Sequence, residues 1–248
     1  MSGSRERYVI RYDRIISVVV VIALAVYALL QLFDANERTS QPEPIVNEEF
    51  TPVVYLSPSN QINNRYAYGD TTESAVMRKI GESAGKYLGQ SGITVVIAEA
   101  GLSLEERIDY SNENSVTAHV AIHSGDEGKG TLCCYNPHTD GSEILAEYIY
   151  DRVSRLTPAE DRGLLDGTTG ETYSFEVSSV NATDCLIEID NHDTIEGAKW
   201  LEEHTDELGR SIADGLLQYI EYARTVWENN TEDGGKTNEE QDKLSEGT

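Results

Sequence analysis

The stretch ITVVIAEAGLSLEERIDYSNENSVTAHVAIHS, residues 93–124, decides the fold. Its two ends, residues 93–98 and 118–123, are short apolar runs rich in β-branched side chains, a pattern typical of buried strands. Between the runs, Ser103 and Glu106 have the spacing of a capping box, which predicts that a helix begins after Ser103. Strand, helix and strand in succession form the unit from which parallel sheets are built.

The same alternation of apolar runs and helical periodicity continues on both sides of this stretch. It predicts an α/β fold with a single central sheet, mixed or mostly parallel, and with helices on both faces. Ligands of such sheets bind at the carboxyl ends of the strands, so polar side chains there are candidate functional residues. The other predicted elements are strands at 53–56 and 185–189 and helices at 71–88, 140–156 (with a capping box of Asp140 and Glu143) and 196–222 (broken near Thr205).

The N-terminal region contains IISVVVVIALAVYALLQLF, residues 15–33, which has no charged residue and is long enough to span a bilayer as a helix. Arginines precede this run, whereas Asp34 and Glu37 follow it, so the positive-inside rule puts residues 1–14 in the cytoplasm. The alternative is a cleaved signal peptide, but the run is longer than the apolar region of one, and Phe33-Asp34-Ala35 at its end make a poor cleavage site. We therefore expect a single-pass cell-membrane protein whose remaining domain lies outside.

The rest of the chain divides by composition into a stalk at 34–50, a folded domain at 51–227 and an acidic, disordered tail at 228–248. With 19 Lys and Arg against 44 Asp and Glu, the formal net charge is −25, which repels phosphate backbones and argues against a nucleic-acid partner. Three cysteines are too few for a disulfide framework, and we expect them to be small buried side chains.

Polar residues at strand and helix ends are the candidates for chemistry. His123 closes one predicted strand, and Glu73 opens the first long helix. Glu188 lies inside an apolar strand, where a carboxylate is costly unless it is paired or functional; pairing with an arginine such as Arg107 is the structural alternative. His119 shares a face with His123, but at about 13 Å along the strand the two cannot share a metal ion.

Four motifs together resemble the zinc-dependent N-acetylmuramoyl-L-alanine amidases of the amidase-3 type. The resemblance covers roughly residues 53–222, and it implies an α/β hydrolase of bacterial cell walls. Such an enzyme cuts the amide between the lactyl group of N-acetylmuramic acid and L-alanine in peptidoglycan. The motifs are SLEER at 103–107, SNENSVTAHVAIHS at 111–124, DRG at 161–163 and CLIEIDNHD at 185–193.

The resemblance also implies a site in which two histidines and one glutamate hold zinc and a further glutamate is the general base. Matched by position, Glu73 is the ligand glutamate, His123 the second ligand histidine and Glu188 the catalytic glutamate. The family's first ligand histidine belongs to an Asp-Pro-Gly-His-Gly turn. In this chain the turn is SPSNQ, residues 57–61, and Asn60 stands at the position of the histidine.

Two interpretations follow from this departure. In the first, His192 supplies the missing imidazole, Asp193 orients its ring, and Zn²⁺ is held by Glu73, His123 and His192; the domain at 51–227 is then a membrane-anchored amidase acting on peptidoglycan or muropeptides. In the second, the amidase-like domain is catalytically impaired and binds peptidoglycan or regulates wall enzymes.

Overall fold

The computed structural model describes residues 49–125, 130–160, 162–170 and 174–245. The described residues from Phe50 onward form one compact unit. The predicted cytoplasmic segment 1–14, the predicted anchor 15–33 and nearly all of the predicted stalk 34–50 lie outside the described residues. None of the described helices combines the length and the hydropathy that a membrane-spanning helix requires.

The described strands form one mixed sheet in the order β2-β1-β3-β6-β4-β5. The pairs β1–β2, β1–β3 and β3–β6 are parallel, β4 pairs with β6 in antiparallel fashion, and β5 runs parallel to β4. The prediction of a single mixed sheet is confirmed. The strands are β1 Val53–Pro58, β2 Thr94–Ile97, β3 Ala118–Gly125, β4 Leu132–Tyr135, β5 Gly163–Asp166 and β6 Thr183–Asn191.

Helices cover both faces of the sheet, as the sequence predicts. The main apolar core joins one face to α1, α3, α5 and α6, and a smaller core around Tyr55 lies on the other face, where α2 and α4 pack. The helices are α1 Glu73–Gln90, α2 Leu104–Glu113, α3 Ser142–Ser154, α4 Phe175–Ser179, α5 Ile195–Glu203 and α6 Thr205–Ser245.

Helix ends show where local sequence signals succeed and where they fail. The capping box of Ser103 and Glu106 is present at the start of α2. The break near Thr205 is also confirmed, because α5 ends at Glu203 and α6 begins at Thr205. The predicted box of Asp140 and Glu143 is wrong: α3 begins at Ser142 after a left-handed Gly141, and no side chain caps it.

Two further predictions concern the cysteines and the tail. Cys133, Cys134 and Cys185 are free and buried, as expected of small apolar side chains. The helical backbone of α6 continues to Ser245, through the segment for which the composition predicts disorder. Glu, the commonest residue there, is a good helix former, so a low apolar content does not by itself exclude a helix.

Candidate active site

Glu73 and His123 meet at the carboxyl end of the parallel strands. Glu73 is the first residue of α1, which follows β1 through a long loop, and His123 is near the end of β3. His123 Nδ1 lies 3.0 Å from Glu73 Oε1. The amino end of a helix favours a carboxylate, so α1 both positions Glu73 and stabilises its charge. The two residues that the sequence assigns to one site are therefore brought together.

Glu73 is fully buried and is held by several donors. The Asn64 side-chain amide donates to Glu73 Oε2 at 2.9 Å, and the backbone N–H of Ser124 donates to Oε1 at 3.3 Å. Burial would raise the pKa of Glu73, but the hydrogen bonds from His123, Asn64 and Ser124 outweigh it and hold the pKa below its usual value. Glu73 is thus an ionised carboxylate with a fixed orientation.

The imidazole of His123 responds to the same charges. Its burial lowers the pKa, but the hydrogen bond to Glu73 and the negative charges of Glu73, Glu176 and Glu188 more than compensate and raise the pKa above its usual value. Its side chain keeps 21% exposure, so one side of the ring remains open.

Glu188 lies beside His123, because the two residues are register partners on β6 and β3. Its carboxylate forms an ion pair with Arg162, and both side chains are partly exposed. A Cβ atom at Gly125 would collide with the Glu188 carboxylate, which would have to shift to make room for it. The arginine that pairs with Glu188 is therefore Arg162, which belongs to the DRG motif, and not Arg107.

Arg107 instead belongs to a buried polar cluster on the same face of the sheet. It donates to Ser57 Oγ at 3.3 Å and to the carbonyl oxygen of Pro58. Ser57 donates to Glu176 Oε1 at 2.5 Å, and His119 Nε2 lies 2.9 Å from the same oxygen. His119 therefore belongs to this buried cluster and not to the Glu73–His123 pair. No sequence pattern singles out Glu176, because α4 has only five residues. The position of Glu176 depends on how α4 packs in the tertiary structure.

Asn60, at the position of the family's first ligand histidine, is hydrogen-bonded to the loop before α2. Its side-chain NH₂ donates to the carbonyl oxygen of Leu102 at 3.1 Å, and the N–H of the preceding Ser59 donates to the carbonyl oxygen of Ile122 at 2.9 Å. The turn after β1 is therefore tied to β3 and to the loop before α2. An amide is also a poor zinc ligand beside imidazole or thiolate.

His192 is fully buried at the end of β6. Its Nδ1 lies 2.9 Å from Ser124 Oγ, its ring stacks on Tyr66 at 5.0 Å between centroids, and Tyr66 Oη lies 2.9 Å from the same Ser124 hydroxyl. Asp193 Oδ1 lies 3.8 Å from His192 Nε2, which has no hydrogen-bond partner among the residues that the structure describes. These contacts support Ser124, the residue whose N–H holds Glu73.

The donor set matches a zinc site in part. Two ligands at about 2.0–2.1 Å from a tetrahedral zinc ion lie roughly 3.3 Å apart, so the 3.0 Å between His123 and Glu73 suits a shared ion. Within the described part of the chain, however, no three His, Cys, Asp or Glu side chains come together closely enough to hold a metal. Catalytic zinc sites have three protein ligands, and the described residues supply two.

Solved structures share this fold at low sequence identity. An N-acetylmuramoyl-L-alanine amidase from Clostridium difficile 630 is 23% identical, with 70% of this chain and 98% of that chain covered and a TM-score of 0.61. The catalytic domain of the amidase CwlV from Bacillus (Paenibacillus) polymyxa var. colistinus is 19% identical, with 69% and 99% covered and a TM-score of 0.61.

A third similar structure is the CwlD amidase from Clostridioides difficile in complex with the GerS lipoprotein, which is 16% identical, with 69% of this chain and 100% of that chain covered and a TM-score of 0.60. Comparison with curated protein sequences finds no match. The Amidase_3 family model, described as N-acetylmuramoyl-L-alanine amidase, matches residues 58–218, well over half of the chain. This protein therefore belongs to the N-acetylmuramoyl-L-alanine amidase family of the amidase-3 type.

Proposed function

We propose that the domain hydrolyses the amide bond between N-acetylmuramic acid and L-alanine in peptidoglycan. The observation that carries the proposal is the convergence of Glu73, His123 and Glu188 at the carboxyl end of the sheet. These are the three residues that the family resemblance assigns to the reaction, and they come from a helix start and from two neighbouring strands. Family membership names the substrate, and this cluster supplies the groups that would act on it.

Glu188 is the proposed general base. Its carboxylate is partly exposed, it lies next to His123, and Arg162 fixes its orientation. A carboxylate in this position can take a proton from an attacking water molecule and pass it to the leaving amine of L-alanine. Glu73 and His123 lie within reach of the same region, and Asn64 and Ser124 prevent Glu73 from turning away.

Zinc is the cofactor that the family implies, and Glu73 and His123 are the residues that would hold it. A zinc ion there would polarise the scissile carbonyl and lower the pKa of its bound water. His192 as the third ligand stays a prediction, since its ring contacts Ser124 and Tyr66. We also propose that residues 15–33 anchor the protein in the cell membrane, with its N-terminus in the cytoplasm and the domain in contact with the wall.

The test is product analysis on purified peptidoglycan. The full chain in mild detergent is incubated with sacculi, with and without added Zn²⁺. New L-alanine amino termini are quantified, and the masses of the glycan fragments are determined by mass spectrometry. We expect free L-alanine amino termini on intact glycan strands, and we expect them to disappear in His123→Ala. Zinc-supplemented protein that releases no L-alanine amino termini would refute the proposal.

A second function is favoured by one specific observation, the replacement of the first ligand histidine by Asn60, whose amide is engaged with Leu102. Under this alternative the domain binds peptidoglycan without cutting it or regulates other wall enzymes. It predicts that sacculi retain the protein in a sedimentation assay, that no amide is cleaved, and that His123→Ala leaves retention unchanged.

A further inference from the structure

The Glu73–His123 pair offers a zinc ion two side-chain ligands, whereas catalytic zinc is ordinarily held by three. Whether a third ligand can join the pair depends on what already holds the other side chains at this end of the sheet. Each of the four described candidates has a partner within the protein. The candidates are Asn60, Glu176, Glu188 and His192.

The two carboxylates among the candidates are engaged with other groups. Glu188 forms an ion pair with Arg162, and it would no longer be free to act as the proposed base if it bound the metal. Glu176 is 4% exposed, and its Oε1 accepts from Ser57 at 2.5 Å and lies 2.9 Å from His119 Nε2. Moving this carboxylate to an ion would leave two buried polar groups without their partner, which costs free energy.

His192 is held by contacts of its own. Its Nδ1 lies 2.9 Å from Ser124 Oγ, and its fully buried ring stacks on Tyr66. Ligation through Nδ1 would break the contact with Ser124, whose backbone N–H holds Glu73. Its Nε2 lies 3.8 Å from Asp193, and His192 does not form a three-ligand group with the Glu73–His123 pair within the described chain.

The last candidate, Asn60, lines a small cleft between the turn after β1 and α4, and His123 lines the same cleft. The side-chain NH₂ of Asn60 donates to the carbonyl oxygen of Leu102 at 3.1 Å. A neutral amide is also not among the usual ligands of zinc, which are thiolate, imidazole and carboxylate. A histidine at this position would add an imidazole to the cleft wall beside His123. The identity of residue 60 therefore decides whether the site has two strong ligands or three.

The pair itself does not need an ion to stay in place. His123 Nδ1 lies 3.0 Å from Glu73 Oε1, the Asn64 amide donates to Oε2 at 2.9 Å, and the N–H of Ser124 donates to Oε1 at 3.3 Å. The buried carboxylate therefore keeps hydrogen-bond donors when a metal leaves, so release of the metal does not leave an unpaired buried charge.

We propose that zinc is held by Glu73 and His123 alone and exchanges readily, and that Asn60 is the residue that sets this weak affinity. The identity of the metal rests on the proposed function. Because occupancy then follows the concentration of free zinc by mass action, the site is a zinc-dependent switch and not a permanently loaded centre. Ligation by His192 and this arrangement exclude each other.

Zinc titration of the full chain in mild detergent tests the proposal. Metal-stripped protein is titrated with Zn²⁺ in competition with a chromophoric chelator. Losing a group that only orients a ligand changes metal affinity by about 10–100-fold, so we expect the ligand gained in Asn60→His to tighten binding at least about tenfold. His123→Ala should abolish binding. Ile62→His is the matched control: it adds a histidine to the same turn, at a position that is 68% exposed and does not line the cleft, and it should bind zinc as wild type does.

X-ray absorption of the zinc-loaded wild type counts the imidazoles on the metal and depends on the folding of no variant. We expect one imidazole per zinc in wild type and two in Asn60→His. Two imidazoles in wild type would identify a second histidine ligand and overturn the proposal. It is also overturned if wild type has no measurable affinity for zinc, or if Asn60→His binds zinc no more tightly than wild type.

The two proposals fail separately, because zinc binding is measured without substrate. Weak zinc binding through one imidazole, in a protein that releases no L-alanine amino termini from sacculi, keeps the two-ligand site and rejects the amidase. Cleavage by a protein whose zinc is bound by two imidazoles keeps the amidase and rejects the two-ligand site.

Discussion

The two faces of β3 differ in character although their residues alternate along a single strand. Val120 and Ile122 point into the main core beneath α1 and are fully buried. His119 and His123 point to the other face, where each contacts a carboxylate. The neighbouring strand β6 repeats the arrangement, with Ile187 in the core and Glu188 on the polar face.

This difference shows how the fold separates stability from chemistry. The apolar face is covered by α1, α3 and α6, each longer than any helix on the other face, and by the shorter α5. Packing on this face depends on side-chain volume. The polar face is covered by the short helices α2 and α4, which leave room for a cleft and for charged groups to meet. Substitutions on one face should therefore change the free energy of unfolding, and those on the other should change the reaction.

The sharpest test of this separation is Glu188→Gln. The variant keeps an oxygen that can accept from Arg162, so the fold is retained, but it cannot take a proton from water. We expect the rate of muropeptide cleavage to fall by about 10²–10⁴-fold with an unchanged melting temperature. Glu147→Gln, on the exposed side of α3, is the control and should leave the rate unchanged. A Glu188→Gln enzyme with wild-type rates would remove Glu188 from the mechanism.

The complementary substitution on the apolar face is Ile122→Ala, one residue before His123. It removes a fully buried side chain from the core, and we expect the free energy of unfolding to fall by about 2–5 kcal/mol, measured by urea denaturation. Below the unfolding transition the KM should stay at the wild-type value. Ile62→Ala, at an exposed position, should change stability by less than about 0.5 kcal/mol. A shift in KM with no loss of stability would contradict the separation of the faces.

Gly125→Ala tests the close approach of the β3 backbone to the carboxylate of Glu188, the proposed general base. The added methyl group would displace the Glu188 carboxylate, and misplacing a catalytic group by about 1 Å can cost up to about 10²-fold in rate. We therefore expect the rate of muropeptide cleavage to fall by roughly tenfold to hundredfold. Gly89→Ala is the matched control, because nothing lies near a Cβ there; we expect it to stabilise α1 by about 0.5–1 kcal/mol with full activity. Equal rates of muropeptide cleavage in Gly125→Ala and Gly89→Ala would contradict a displaced Glu188 carboxylate.

A separate effect, on the pH dependence of stability and not on the reaction, is expected at the opposite end of β6, where Asp184 is buried against Ser142. Burial raises the pKa of Asp184 to about 7, despite the hydrogen bond from Ser142. Between about pH 4 and pH 7 the folded state therefore holds more protons than the unfolded state, and stability falls as the pH rises, by up to about 1.4 kcal/mol per pH unit. The free energy of unfolding, measured by urea denaturation at several pH values in this range, should fall with rising pH more steeply in wild type than in Asp184→Asn. Equal pH dependences would contradict the raised pKa of Asp184.

Residues in regular elements were predictable, and residues in short or irregular ones were not. The positions of Glu73, His123 and Glu188 follow from strand and helix ends, and the structure brings all three together. Glu176 was missed because a five-residue helix has no usable periodicity. The strands β4 and β5 were also missed, because LCCY and GLLD lack the β-branched residues that mark the equally short β2, TVVI. Arg162 lies within a motif, but nothing local in the sequence pairs it with Glu188.

The amino-acid sequence by itself determined the alternation of strands and helices and the residue types at the strand ends, because these depend on local periodicity and spacing. Its four motifs also carried the resemblance to the amidase-3 family. Only the tertiary structure decided that Asn60 donates to Leu102, that His192 packs on Tyr66 and Ser124, and that Arg162 holds Glu188. These pairings join residues distant in the chain, and their geometry depends on how helices and strands pack, which no short pattern encodes.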